Sequence, residues 1–183
     1  MYFIELEVNT KPMNIWIVAI DHKLQLTRRP DDSPKLREDK DKLEAILKSG
    51  IPARGIQFIG EEAKQGEQTI AMDLGRLRDP AIAWNNIDMT NAERDAAGIS
   101  EALKHRPGHP DHQTMSYWIE CRIPEDEVRE DYFISQALRH AGQAQSILML
   151  IGDLHVDAVA GKLERMGHYV TTYHELFPVR RWE

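Results

Sequence analysis

Apolar and polar positions alternate along this chain in blocks whose period switches between two and about three and a half. Residues 2–8 alternate, with Tyr2, Ile4, Leu6 and Val8 on one face and Phe3, Glu5 and Glu7 on the other, which predicts a half-buried strand near a sheet edge. Asn14 to Ile20 is a continuous β-branched and aromatic run, the pattern of a central strand buried on both faces, and it ends at Asp21-His22. Ser33-Pro34 then reads as an N-cap and first helical residue. The helix carries Leu36, Leu43, Ile46 and Leu47 on one stripe and is expected to stop at Gly50 and Pro52.

Gly55 to Ile59 predicts the next strand, ending at Gly60-Glu61-Glu62, with a helix over about Thr69 to Leu77. Thr90-Asn91-Ala92-Glu93 is a capping-box pattern opening a helix to about His105, followed by a Pro/Gly/His loop from Arg106 to Thr114. Pro124 opens a long helix to about His140, with acids in its first turn, where the helix dipole favours them. Ser146 to Ile151, Val156 to Met166 and Tyr169 to Tyr173 form a C-terminal β-α-β unit. Strands alternating with helices predict one α/β domain over residues 1–183, a mostly parallel or mixed sheet with helices on both faces.

Composition narrows the function. With 23 Lys and Arg against 30 Asp and Glu, the formal charge is −7, a poor basis for neutralising a phosphate backbone, so no nucleic-acid partner is expected. The single cysteine, Cys121, excludes an internal disulfide and a Cys-rich zinc site, and it reads as a packed thiol. No signal peptide and no apolar run of membrane-spanning length is seen, so the expected compartment is the cytoplasm, with no membrane partner. Seven basic and six acidic residues between Arg28 and Lys48 nearly cancel and read as a solvated helix face.

Candidate chemistry sits at strand ends, because open α/β sheets bind ligands outside the carboxyl ends of their strands. Asp21-His22, Glu61-Glu62 and Gly152-Asp153-Leu154-His155 follow the three central strands. If these strands run parallel, two imidazoles and several carboxylates converge on one rim, a set suited to a divalent metal or to general-base work. Glu61 and Glu62 are neighbours after a strand, so only one is expected to face the rim. Asp153 also reads as a helix cap, and Arg129 as an ion-pair partner of the acids on its own helix.

Other signals are weaker. His105, His109 and His112 lie close together, but Pro107, Gly108 and Pro110 prevent a regular zinc-binding helix there, and a solvated or lid-like loop is expected. Phosphate-loop, dinucleotide and Gly-x-Ser-x-Gly patterns are absent.

The order of these features resembles the TraB/Tiki proteins and their ChaN-like and erythromycin-esterase-like relatives. The residues that carry the resemblance are Ile147 to Val159 around Gly152-Asp153-Leu154-His155, then Leu163 and Gly167 to Val170. Val18 to His22, Glu61 or Glu62, and Val128 to Phe133 with Arg129 stand where the family carries its first Gly-x-x-His, its acid and its arginine helix. Ala19 replaces the first motif's glycine, and the chain is shorter than is usual for the family, so the resemblance implies a site and not a substrate. The expected activity is peptidase- or esterase-like hydrolysis of a small-molecule or peptide substrate. His22, His155 and Glu61 or Glu62 would hold zinc or manganese, the other glutamate would take the water proton, and Arg129 would stabilise a developing oxyanion, with Asp21 and Asp153 as further pocket residues. The alternative is a non-catalytic module that binds a small molecule or a partner at the same rim.

Overall fold

The computed structural model describes residues 11–100 and 123–174, so the expected strand at residues 2–8, the helix end and histidine loop beyond residue 100, and Cys121 lie outside the described residues. Five strands form one sheet in the order β3-β2-β4-β1-β5, and every pairing is parallel: β1 Asn14–Ile20, β2 Phe58–Glu61, β3 Ala83–Asn86, β4 Ser146–Gly152 and β5 Tyr169–Tyr173. The three strands that carry the candidate residues, β2, β4 and β1, are therefore adjacent at the centre of the sheet, and their carboxyl ends share one edge.

Parallel pairing forces crossover connections, and these cover both faces. Ile15, Ile17 and Ala19 of β1, with Ile147, Met149 and Ile151 of β4, pack against Phe133, Ile134 and Ala137 of α5 (Pro124–Ala141) and Val156, Val159 and Leu163 of α6 (Asp153–Arg165). The alternate residues Trp16, Val18, Ile20, Leu148 and Leu150 face the other way, against Leu43, Leu47 and Ile51 of α2 (Pro34–Ala53) and Ile70 and Leu74 of α3 (Ile70–Arg76). A short α1 (His22–Gln25) and an exposed α4 (Asn91–Ala96) flank the sheet's other connections.

Most boundaries follow local chemistry. The Ser33 hydroxyl accepts from the Leu36 amide at 3.2 Å and Pro34 opens α2, while Thr90 and Glu93 close the reciprocal capping box of α4. Several elements differ from expectation: β2 starts at Phe58 rather than Gly55 and runs to Glu61, and α6 starts at Asp153 rather than Val156. Helix α2 runs through Gly50 and Pro52 to Ala53. Pro52 frees the carbonyl of Lys48, which instead accepts from the Arg78 guanidinium at 3.0 Å. Gly50 is an opening for a neighbour rather than a stop, since a Cβ there would lie 2.2 Å from Cη2 of Trp16. Helix α4 breaks at Ala96, where Gly98 takes a left-handed φ of 73°, and helical backbone resumes at Ile99 and Ser100, beyond which the expected helix lies outside the described residues. Strand β3, short and rich in asparagine at the sheet edge, has no counterpart in the sequence pattern. The charges of α2 mostly pair on its surface, as Lys35 with Asp39 and Lys42 with Glu38, although Lys40 is buried against Asp32 at 2.6 Å.

Candidate functional site

At the carboxyl edge of the sheet lies an open pocket of about 440 Å³, and among the residues lining it are His22, Glu62, Asp88, Arg94, Arg129 and His155. Its geometry begins with β-alternation. Gly60 packs against Ile87 and Phe58, Glu61 turns to the α2–α3 side, and Glu62 turns to the α5–α6 side. The two adjacent glutamates thus part company at the strand end. Glu62 lines the pocket; Glu61 does not.

Glu62 is the centre of the site. Its side chain is 2% exposed. Oε1 accepts from Nη2 of Arg129 at 2.7 Å, and Oε2 accepts from the Gly152 amide at 2.7 Å. Nε2 of His22 stands 3.5 Å from Oε1. Burial alone would push this carboxyl up, but the neighbouring imidazoles of His155 and His22, the Arg129 guanidinium and the Gly152 amide outweigh it, holding the carboxyl below the usual range. Gly152 permits this approach: a Cβ there would come within 3.2 Å of Oε2 and 3.6 Å of Nε2 of His22.

Arg129 reaches the pocket from the first turns of α5. Its partners are not the acids beside it on that helix. Nη2 also donates to Asp88 at 3.2 and 3.3 Å, and Nη1 donates to Nε2 of His155 at 3.3 Å. Burial would lower its pKa, but the paired Glu62 and Asp88 raise it, so the guanidinium is a permanent charge. Asp88 is shared with Arg94, which forms a close ion pair with it; burial, with Glu62 nearby, keeps the Asp88 carboxyl above its ordinary value despite both arginines.

His155 lies in the first turn of α6, 3% exposed, with Nδ1 3.2 Å from Oε1 of Glu130 and its ring edge-on to Phe133. Nζ of Lys162 approaches Oε2 of Glu130 at 3.4 Å. His22 opens α1 at the pocket rim, where its half-exposed ring has Nδ1 2.8 Å from Oε1 of Gln25. Gln25 in turn donates from Nε2 to Oε1 of Glu61 at 3.1 Å and to the main-chain oxygen of Glu62 at 2.6 Å. Glu61 also accepts at Oε2 from Thr69 and Trp84, each at 2.6 Å. Burial pushes the Glu61 carboxyl up against these three donors.

The structure therefore brings together His22, Glu62, Arg129 and His155. It places Glu61 one layer behind them. Asp21 and Asp153 reach the pocket wall, where each also serves locally: Asp21 caps α1 through the Lys23 amide at 2.8 Å, and Asp153 meets Nδ1 of His174 at 3.1 Å. Gly152, not Asp153, is the N-cap of α6. Asp88, Arg94, Gln25 and Glu130 are additions that strand-end reasoning does not reach. Asp88 follows β3, Arg94 lies on α4, Gln25 is the last residue of α1 and Glu130 lies within α5, and no motif marks any of them as part of a site.

Among the described residues no three His, Cys, Asp or Glu side chains group as an ion's ligands. Oε1 of Glu62 already accepts from Arg129 and Oε2 from Gly152, and the guanidinium stands between Glu62 and His155. As placed, these side chains do not fit a metal shell of His22, His155 and Glu61 or Glu62. No helix among the described residues is long and apolar enough to cross a membrane. In comparisons with models of protein families, with curated proteins and with solved structures, nothing matches this chain.

Proposed function

We propose that this chain is a hydrolase of ester or peptide bonds, built as a reduced relative of the TraB/Tiki and erythromycin-esterase-like proteins, in which His22 is the general base. The observation that carries the reading is the confrontation of Nε2 of His22 with Oε1 of Glu62 across 3.5 Å at the open pocket. A water donating to Nε2 of His22 from the open side of the pocket would have the Glu62 carboxylate beside the imidazole and its own lone pairs free to face a substrate.

The chemistry follows from these positions. His22 takes a proton from the water at Nε2 as the oxygen adds to the substrate carbonyl carbon. The imidazolium that forms is stabilised by the ionised Glu62 beside it. Arg129 keeps Glu62 ionised, and its fixed charge offsets the negative charge developing on the carbonyl oxygen. The tetrahedral intermediate then expels the alcohol or amine, which receives the proton from His22. His155 accepts from Arg129 and, through Glu130, holds the guanidinium in place. Water access to a half-exposed His22 and a cytoplasmic setting complete the proposal.

The test is a screen of the purified chain against chromogenic esters and short peptides, with and without a chelator, beside His22→Ala and Glu62→Gln. Turnover that survives chelation and falls at least 100-fold in either variant is expected. Turnover lost to chelator and restored by zinc or manganese would replace the metal-free base with a bound ion. No turnover, with a small molecule captured at the pocket, would leave the non-catalytic binding module.

A further inference from the structure

Glu61 and Gln25 lie behind the pocket and take no part in the chemistry just described, yet Gln25 is almost wholly buried and every polar atom of its amide is engaged. The amide nitrogen lies between two oxygens, the Glu61 carboxylate and the Glu62 main-chain carbonyl. Turning the amide over would set oxygen against oxygen at 2.6 Å and 3.1 Å. The amide oxygen must therefore face Nδ1 of His22, and a carbonyl oxygen accepts only from a protonated nitrogen. In the neutral ring that leaves Nε2 without a proton, on the side facing Glu62 and the pocket.

We infer that Gln25 is a positioning residue that locks neutral His22 in its Nδ1–H tautomer, with Glu61 and the Glu62 carbonyl as the two anchors that keep the amide from turning. Thr69 and Trp84 hold Glu61 in turn, each donating to its other oxygen at 2.6 Å. The lock has the logic of an acid–histidine pair in a hydrolytic triad, with an amide relayed from a buried carboxylate in place of the carboxylate itself. It explains why two consecutive glutamates follow β2: alternation sends one into the pocket and the other to the anchor of the histidine opposite it. The inference rests on the reading of His22 as a base, and its primary readout is independent of turnover.

The experiment is the ¹⁵N imidazole spectrum of the full chain at a pH where His22 is neutral, assigned by loss of its resonances in His22→Ala. Wild type is expected to show a protonated Nδ1 and an unprotonated Nε2. Gln25→Met, which keeps the shape and removes the acceptor, is expected to shift the ring toward the Nε2–H form. Glu61→Gln, which sets an amide donor against the Gln25 nitrogen, is expected to shift it in the same direction by less. In any substrate turned over, both variants should lower kcat by 10-fold or more with KM little changed. A wild-type ring carrying its proton on Nε2 overturns the inference without need of any variant, and so does an unchanged tautomer in a folded Gln25→Met. A shifted tautomer in a protein without turnover keeps the lock and removes the hydrolase; turnover with an unmoved tautomer does the reverse.

Discussion

Replacing Arg129 by methionine isolates the electrostatics of the pocket from its packing. Methionine keeps most of the aliphatic length and the contact with Phe133, over whose ring the guanidinium carbon sits at 5.3 Å. What it removes is the cation between two buried carboxylates, Glu62 and Asp88, whose side chains are 2% and 5% exposed. Deleting one partner of a buried ion pair costs about 3–5 kcal/mol, because the remaining charge is left without compensation. Here each carboxylate keeps a second partner: Glu62 retains the Gly152 amide, and Asp88 retains Arg94 and the Met89 amide. The expected loss therefore sits at the lower end, about 3 kcal/mol, equivalent to a fall in Tm of roughly 6–12 °C for a chain of this size.

The pH dependence supplies the control. In the wild type the Glu62 carboxyl lies below its ordinary value, so its contribution is present above that value and is lost as pH falls through the lower folded pKa. Without Arg129 one of the groups holding it down beside His155 and His22 is gone and the carboxyl moves up, so the ionised form is less favoured at neutral pH and acidification relieves the cost by protonation. The difference between wild type and variant should be largest near pH 7 and shrink toward pH 4. Urea unfolding at both pH values measures it. An unchanged midpoint at pH 7, or an equal deficit at both, would refute the electrostatic account and leave only packing.

Three further outcomes are expected. Gly50→Ala places a Cβ 2.2 Å from Cη2 and 2.5 Å from Cζ3 of Trp16, whose ring is also covered by Arg54 at 4.3 Å; overpacking should outweigh the gain in helix propensity and cost roughly 1–3 kcal/mol, read from thermal unfolding. Burial, together with its hydrogen bond to Glu93, pushes the Tyr132 phenol up to about 12. The neutral phenol is thus favoured in the folded chain, its contribution being whole below the ordinary value of 10 and lost as pH rises through about 12, so ultraviolet titration should show a late tyrosine that disappears in Tyr132→Phe. Thr90→Ala breaks the capping box and should destabilise α4 by about 1 kcal/mol, seen as faster amide exchange at Glu93 with little change in global unfolding.

The alternation of strand and helix is legible in the sequence because each pattern is local. Asn14 to Ile20 and Ser146 to Ile151 are runs that only a doubly covered strand can bury, and Ser33-Pro34 and Thr90-x-x-Glu93 carry their cap chemistry in four residues. Strand β3 is not legible, since Ala-Trp-Asn-Asn at a sheet edge has neither apolar continuity nor clean alternation. Asp88, two residues beyond its end, is hidden with it. Gly50 and Pro52 mislead for a different reason: what they answer, Trp16 and Arg78, is distant in sequence. Arg129 is the same case from the other side. Five acids surround it along the chain, and it pairs instead with two carboxylates 67 and 41 residues away.

The site itself depends on a register that no local pattern encodes. Ile20 of β1 pairs with Gly152 of β4, so the two strands end level, and α1 and α6 begin side by side. Glu61 of β2 pairs with Leu150 of β4, and Glu62 donates its amide to the Leu150 carbonyl, one step short of that edge. A shift of one residue in β2 would exchange the two glutamates, sending Glu61 toward Arg129 and Glu62 beneath Gln25. The paired acids give the pocket its base-stabilising carboxylate and its anchor only in this register, which the buried alternation of Phe58 and Ile59 on opposite faces enforces. The hydrophobic pattern of four residues in β2 thus decides which carboxylate meets the histidines.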